Sequence, residues 1–280
     1  MKVSISPAYA SDVQAGQRWA EFFASLLHDE ELARLDAYIA PLEEVELICN
    51  GEALGCYGGN HLVSMGETNF GVTPQAVATH EYGHHIAANR VSPPWPAIHW
   101  GTKRWASVVG VCARAAAGTA FPGAEDDNYS LNPGEAFAES YRVLIETKGT
   151  AVGYDWPIVD PSFNPTPASL AALREDVLHP WLLPTTKTIR GTFLRRRRIW
   201  STQVATPLDG DIRVRVTVPG GGADDVTLLT GDGRTELATG TWTSSGGRSA
   251  EYRVCGARSV RVRVTRRAAV ARFTLQMQVP

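Results

Sequence analysis

The sequence predicts an α+β domain over residues 1–188, followed by a small all-β sandwich domain over residues 189–280. The first part combines helical periodicity with short apolar runs, whereas the second has short alternating strands separated by glycine turns. The charge also changes sign between the parts. Residues 1–190 hold 12 Lys and Arg against 22 Asp and Glu, a net charge of −10, and residues 191–280 hold 15 against 7, a net charge of +8. This asymmetry indicates two domains with different surfaces.

The composition is that of an ordinary globular protein. Of the 280 residues, 44% are hydrophobic and 20% are charged, which is enough apolar material for a sizeable core. No run approaches the roughly 18 apolar residues of a membrane-spanning helix, so we expect no membrane span. Residues 1–16 lack the apolar segment of a signal peptide. An export signal is therefore either absent or was removed from this chain.

The first elements are predicted from the spacing of apolar residues. A helix is predicted over residues 12–39, because the large apolar residues between 19 and 27 fall on one side of it. The runs 45–49 and 56–65 are typical of two strands, with His61–Met65 as the core of the second.

Two helices have strong start signals. Thr73 followed by Pro74 combines an N-cap residue with a proline at the first helical position, and this helix is predicted to run to about Arg90. Asn132 followed by Pro133 is the second such start. An alanine-rich helix is predicted over 106–117.

The N-terminal domain is predicted to end in a proline-rich connection and a closing helix. An acidic loop over 121–131 comes first. The connection then contains four prolines, at positions 157, 161, 165 and 167. The closing helix is predicted over 168–178.

Beyond Pro184, the sequence pattern predicts β-strands. Residues 211–218 and 259–265 alternate strictly between polar and apolar, and groups of glycines stand between such segments. This pattern indicates a small β-sandwich. The run Arg195, Arg196, Arg197 and Arg198 could suit an anionic partner. A solvated strand face or linker is the favoured interpretation, so no nucleic-acid partner is expected.

Four cysteines stand at positions 49, 56, 112 and 255, without a C-x-x-C pair. This spacing argues against a cysteine-based zinc site or a thioredoxin-like redox motif. Cys49 and Cys56 flank a glycine-containing turn, and an oxidising compartment would favour a disulfide between them. Two buried thiols are the alternative. Cys112 and Cys255 could pair across the two halves, which the sequence does not decide.

The segment His80–His84 reads His-Glu-Tyr-Gly-His, an H-E-x-x-H pattern. On a helix, positions i and i+4 share one face, so both imidazoles can reach one zinc ion at about 2.0–2.1 Å. Glu81 is placed to take a proton from a water at the metal rather than to bind it. Gly83 costs about 1 kcal/mol relative to alanine inside a helix, so we expect a close approach of another element there.

A catalytic zinc site takes three protein ligands and one open position. Arg90 stands where the metzincin spacing would have a third histidine, and His99 is a possible ligand without helical register to the pair. Glu135 is the better candidate, since it opens the second capped helix. Glu139 lies one turn later on the same face, where it can accept the outer N–H of a ligand histidine. His85 is turned away from the pair and is expected either to support a ligand from outside or to be structural.

The segment His80–His84 together with the later Gly134–Glu139, Gly-Glu-Ala-Phe-Ala-Glu, resembles the arrangement of gluzincin metallopeptidases. Thermolysin-like peptidases share this arrangement, and the lethal-factor-like branch has a similar glutamate helix. The resemblance covers these two helices and implies a zincin-like catalytic domain with Glu135 as third zinc ligand. It also implies a tyrosine that stabilises the tetrahedral intermediate, for which Tyr129 is the candidate. The strand His61–Met65 would then pair with extended substrate as an edge strand.

The C-terminal part resembles the pre-peptidase C-terminal β-domains of secreted bacterial peptidases. Residues 252–256, the alternating strands after them and the terminal Pro280 carry this likeness. It implies an accessory role in secretion, adhesion or substrate capture.

The expected function is that of a secreted zinc endopeptidase acting on a protein or peptide substrate. Two alternatives stay open. The peptidase-like part could be inert, with the β-domain acting through binding, or the zinc centre could hydrolyse a bond other than a peptide bond. The sequence leaves the cleavage preference and the oligomeric state undetermined.

Overall fold

The protein is described by a computed structural model over residues 1–147, 158–194, 196–220, 224–244, 246–256, 258–267 and 269–280. It divides into two compact units, Met1–Trp181 and Leu182–Pro280, each with its own hydrophobic core. The first strand of the second unit starts at Thr185, so a boundary at 188/189 would cut through this strand. Two residues of predicted segments lie outside the described residues: Pro157 of the proline-rich connection and Arg195 of the arginine run.

The first unit contains a mixed four-stranded sheet in the order β1-β2-β4-β3. The strand β2 pairs in parallel with both β1 and β4, and β3 pairs antiparallel with β4. The β3–β4 hairpin turns at Gly59 and Asn60, which both have positive φ, as a two-residue hairpin turn requires. The bounds are β1 Lys2–Ile5, β2 Asp36–Ala40, β3 Gly55–Gly58 and β4 His61–Met65.

Two predictions near the N-terminus are wrong. The helix expected over 12–39 is only α1, Ala15–Ser25, and the later part contains β2 instead. The short run 36–40 is held as a strand by its neighbours β1 and β4, a long-range pairing that outweighs helical periodicity. The strand expected at 45–49 belongs to α2, Leu42–Cys49. Its first turn carries Glu43 and Glu44, which a helix N-terminus stabilises.

The remaining helices follow the sequence signals closely. The alanine-rich segment is interrupted at Gly110, whose φ is 75°, and therefore forms two short helices. The predicted closing helix is confirmed as α8. The bounds are α3 Pro74–Ala88, α4 Ala97–Trp100, α5 Lys103–Val109, α6 Val111–Ala116, α7 Pro133–Glu146 and α8 Pro167–Leu178.

The core of the first unit surrounds α3 and α7. Its fully buried large side chains include Phe23 from α1, Leu62 from β4, Tyr82 from α3 and Phe137 and Tyr141 from α7. These side chains come from four elements. Within the core, α3 packs against the sheet on one side and against α7 on the other. The two helices are thereby held in fixed register.

The second unit is all-β, as predicted. Its described strands form two sheets, of order β10-β11-β7-β13-β5 and β6-β12-β8-β9, in which every pairing is antiparallel. Alternate residues of both sheets form one apolar core. Arg196, Arg197 and Arg198 are exposed between β5 and β6. The bounds are β5 Thr185–Thr192, β6 Ile199–Ala205, β7 Gly210–Thr217, β8 Asp225–Thr230, β9 Glu236–Thr239, β10 Thr241–Trp242, β11 Arg248–Val254, β12 Ser259–Thr265 and β13 Arg272–Val279.

Candidate metal centre

The helix α3 carries the H-E-x-x-H segment and begins at the predicted cap. The Thr73 hydroxyl accepts the backbone N–H of Ala76 at 3.2 Å, and Pro74 is the first helical residue. The helix ends at Ala88, two residues before the predicted end. Most of its residues are buried, so the two histidines lie inside the unit rather than on a solvent-facing helix.

The helix α7 brings the glutamates to the same place. The Asn132 side chain caps α7 by accepting the N–H of Gly134 at 2.9 Å. The close approach predicted at Gly83 is confirmed. A Cβ at this position would lie 2.7 Å from the Cα of Ala138 on α7. Only glycine lets the two backbones come this near.

His80, His84 and Glu135 form the one group of three potential metal ligands found among the described residues. The Nε2 of His80 lies 3.2 Å from Oε2 of Glu135, and the Nε2 of His84 lies 3.4 Å from the same oxygen. Two ligand atoms at about 2.0–2.1 Å from a tetrahedral ion are about 3.3–3.4 Å apart. The two histidine–glutamate pairs therefore already have the spacing that a tetrahedral metal ion requires, and all three ligand atoms lie within 4.8 Å of one another. Two imidazoles and one carboxylate suit zinc and similar divalent ions.

The Nδ1 nitrogen of His80 faces Glu139, the residue expected to accept an N–H from a ligand histidine. Its Nδ1 lies 3.4 Å from Oε2 of Glu139, which leaves Nε2 directed toward Glu135. Arg142 donates to both oxygens of Glu139, at 2.5 and 3.0 Å, and also pairs with Glu146. A carboxylate held in this way fixes the tautomer and ring orientation of the histidine.

Burial and charge set the proton affinities at the centre. Burial opposes the charge on His80, but its hydrogen bonds to Glu135 and Glu139 outweigh burial and raise the pKa of His80 to about 10. Burial likewise favours the neutral form of Glu135, yet the charge of His84 and the hydrogen bonds from both histidines hold the pKa of Glu135 well below its ordinary value. His80 therefore favours its protonated form and Glu135 its ionised form. A ligand histidine must lose this proton to bind a metal.

Glu81 lies beside the cluster but does not belong to it. It is 7% exposed, and burial raises its pKa. Its side chain packs against β3, where a Cβ on Gly55 would lie 3.1 Å from the Cγ of Glu81. The glycine therefore leaves room for Glu81 between α3 and β3.

A cavity of ≈ 620 Å³ opens in front of these residues. His80, Glu81, His84 and Glu135 line one side of it, and β3 lines another through Gly55, Cys56 and Tyr57. The candidate metal ligands therefore face a space large enough for a peptide segment.

Tyr129 also lines this cavity, at the start of the 3-10 turn Tyr129–Leu131. Its hydroxyl donates to Oε2 of Glu135 at 2.8 Å. Burial, together with the charge of Glu135, raises the pKa of Tyr129 far above its ordinary value. The hydroxyl consequently keeps its proton and remains a donor at neutral pH.

The strand beside the cavity is not the predicted one. His61–Met65 lies inside the sheet between β2 and β3, so its backbone groups are used on both sides. The edge strand is β3, Gly55–Gly58, which the sequence interpretation merged with its hairpin partner. The two strands were not separated because the turn Gly59–Asn60 interrupts the apolar pattern for only two residues.

No other histidine among the described residues belongs to the candidate ligand group. His85 is fully buried, with Nε2 2.8 Å from the backbone oxygen of Glu31 and Nδ1 3.1 Å from the Tyr57 hydroxyl, so it is structural. His61 is exposed beside Asp36. His99 lines the cavity without belonging to the metal-ligand group.

The predicted disulfide between Cys49 and Cys56 is confirmed, with Cα atoms 5.9 Å apart. It joins the end of α2 to the edge strand β3. Cys112 and Cys255 are disulfide-bonded as well, and no cysteine of the chain is free. Disulfides of this kind fit an oxidising compartment.

Sequence reasoning missed Arg142, which holds the orienting carboxylate. Its position three residues after Glu139 is the i,i+3 spacing of a helical ion pair, so the signal was present. It also missed the hydrogen bond between the Tyr57 hydroxyl and His85. This bond joins residues 28 positions apart and has no local signature.

Comparison with known proteins adds little to this description. No protein-family model and no curated protein sequence matches the chain. A solved structure, the pre-peptidase C-terminal domain of collagenase from Bacillus anthracis, is similar at 16% identity. The likeness covers 34% of this chain and 87% of that one, with a TM-score of 0.26. No helix in the described ranges combines the length and apolar composition that crossing a bilayer requires.

Proposed function

We propose that the chain is a secreted zinc-dependent endopeptidase of gluzincin type, with a zincin-like first domain. The observation that carries this proposal is the shared Oε2 of Glu135, which lies 3.2 and 3.4 Å from the Nε2 atoms of His80 and His84. These spacings match the ligand edges of a tetrahedral zinc site. The fourth position would open onto the cavity.

Zinc at this centre would supply a Lewis acid for the scissile carbonyl and lower the pKa of water to about 7. The protein's own part in the proposed reaction starts with Glu81. Its carboxylate has a raised proton affinity and opens onto the cavity, so it can take the proton of the attacking water. The same carboxylate can then hand the proton to the leaving amine.

Tyr129 would complete the polar side of the reaction centre. Because its hydroxyl keeps its proton, it can donate to the oxygen that becomes negative when the carbonyl is attacked. In the metal-free protein this donor is directed to Glu135.

Glu139 and Arg142 would orient rather than react. Glu139 holds the Nδ1 proton of His80, and Arg142 holds Glu139. Loss of such an outer partner typically lowers metal affinity about 10–100-fold.

The decisive experiment compares the wild type with Glu81→Gln on a diverse peptide mixture, read by mass spectrometry. Glutamine keeps the shape of the side chain but cannot act as a base. Zinc content and melting temperature serve as controls, and both should match in the two proteins. We expect cuts by the wild type that Glu81→Gln does not make. Equal cutting by both zinc-loaded proteins would refute the role of Glu81, and no cutting by either would favour the inert binding protein.

A further inference from the structure

The cavity in front of the candidate metal centre holds two carboxylates that the proposed reaction does not use. Glu52 lies in the loop that the Cys49–Cys56 disulfide closes, and Glu125 lies in the loop before Tyr129. Both line the cavity and both are exposed. Among the described residues, neither carboxylate has a hydrogen-bond or ion-pair partner. They are therefore free to meet whatever enters the cavity.

The cavity wall formed by described residues contains no lysine or arginine. A divalent ion on the candidate ligands would be balanced by the charges of Glu135 and Glu81. The charges of Glu52 and Glu125 would then remain without a counterion. Inside a partly enclosed space, water screens such charges less well than on an open surface. A positive group on the occupant is consequently attracted there.

A second observation indicates that the cavity is built to be occupied. Glu81 is 7% exposed, opens onto the same cavity and is hydrogen bonded to no described residue. Burying a carboxylate without a hydrogen-bond partner is costly. A bound ligand that reaches Glu81 would remove this cost.

The apolar residues of the cavity wall indicate which positively charged group fits the cavity. Leu54, Ile98 and Ile158 line the cavity together with the two carboxylates. A lysine or arginine side chain has a long apolar stem and a charged end. Such a side chain matches a wall that mixes alkyl groups with carboxylates, whereas an N-terminal ammonium brings charge without a stem.

We infer that this cavity selects peptides with a lysine or arginine beside the scissile bond, and that Glu52 and Glu125 recognise the positive charge. The inference rests on the proposed peptidase function and adds its substrate preference. Hydrogen bonds to charged groups are the stronger class, so we expect a preference of about 10-fold over a neutral side chain of the same shape.

The test uses matched peptides with a blocked N-terminus. One member of each pair carries arginine or lysine near the scissile bond, and the other carries citrulline or norleucine. The ratio of kcat/KM within each pair is measured for wild type, Glu52→Gln, Glu125→Gln and Asp127→Asn. Asp127 is an exposed carboxylate of the same loop that does not line the cavity, so it is the matched control.

The expected result is a ratio of about 10 in favour of the charged peptide. It should fall toward 1 in the Glu125 and Glu52 variants and stay unchanged in the Asp127 variant. Asp127→Asn should cut both peptides at the wild-type rates, and the Glu52 and Glu125 variants should lose much more rate on the charged peptide than on its neutral partner. A wild-type ratio near 1 would overturn the inference while leaving the peptidase proposal intact. Equal slowing of both peptides in Glu125→Gln would also overturn it, since that indicates a structural role.

A binding measurement separates failure of the inference from failure of the proposed function. Fluorescent versions of the same peptides are titrated against zinc-loaded Glu81→Gln, with and without the added Glu125→Gln change. Tighter binding of the charged peptide that disappears in the double variant supports charge recognition even if the wild type cuts nothing. Equal binding of both peptides overturns it.

Discussion

Gly83 is the point where the two ligand-carrying helices touch, and its replacement by alanine tests whether their spacing sets the metal centre. The added Cβ would lie 2.7 Å from the Cα of Ala138. Carbon atoms pack at about 3.5 Å or more, so the helices must move apart locally by about 0.8 Å. The 3.2 Å between His80 and Glu135 would then grow to about 4 Å. Metal–ligand distances tolerate only about ±0.2 Å.

We therefore expect Gly83→Ala to lower zinc affinity by at least about 10–100-fold, the range seen when a ligand's support is lost. The change in folding stability should be modest. Alanine favours the helix by about 1 kcal/mol, and overpacking costs about 1–3 kcal/mol. The metal-free protein should therefore lose between about 0 and 2 kcal/mol and stay folded. This combination distinguishes a displaced ligand from general unfolding.

The assay is zinc competition against a chromophoric chelator, combined with urea unfolding of the metal-free chains. Gly16→Ala on α1 is the matched control, because its Cβ would lie 3.7 Å from the Cγ1 of Ile5, an ordinary contact. We expect it to keep wild-type zinc affinity and to raise the unfolding free energy by up to about 1 kcal/mol. Wild-type zinc affinity in Gly83→Ala would refute the argument that this contact sets the ligand spacing.

Two further predictions concern stability. Burial raises the pKa of Glu31, but the N–H of Asp29 and the guanidinium of Arg90 outweigh burial and lower it overall. Its stabilising contribution is therefore present above pH 4.5 and is lost as the pH falls below that value. Glu31→Gln should cost about 3 kcal/mol at pH 7, and the gap to wild type in metal-free unfolding should narrow below pH 4.5; a constant gap would contradict this. Replacing Cys49 and Cys56 by serine opens a short loop and should lower the unfolding free energy by about 2.5 kcal/mol. The same change should raise the KM for peptides, since both cysteines line the cavity, and an unchanged KM would show that the disulfide does not shape the wall.

The helix starts were predictable because their signals are local. Thr73 and Asn132 each cap their own helix within three residues, so the information needed lies in a few neighbouring positions. The disulfide between Cys49 and Cys56 was predictable for the same reason. The i,i+4 spacing of the two histidines likewise depends on one helix alone.

The sheet was harder to predict because its order depends on distant partners. The strand Asp36–Ala40 lies between β1 and β4, which come from segments more than twenty residues away on either side. Its five residues show neither a clear alternation nor a long apolar run, so the preceding helical pattern dominated the interpretation. The identity of the edge strand depended on the same order, and β3 was missed with it.

The proximity of Glu135 to the two histidines was only partly predictable from the sequence. Each half of the centre has a local signature, but 55 residues separate His80 from Glu135. What brings them together is the packing of α3 on α7. The sequence hinted at this packing only through Gly83, a residue that is unfavourable in a helix unless another backbone needs its place.

The burial of Glu81 has a consequence for how this protein can change over time. Its carboxylate is buried beside the candidate metal ligands without a hydrogen-bond partner among the described residues, so folding alone would favour an apolar residue at this position. Folding stability therefore favours an apolar residue at position 81, whereas the proposed reaction requires a carboxylate there. In related proteins that have lost catalytic activity, we expect Glu81 to be substituted before the buried residues around it.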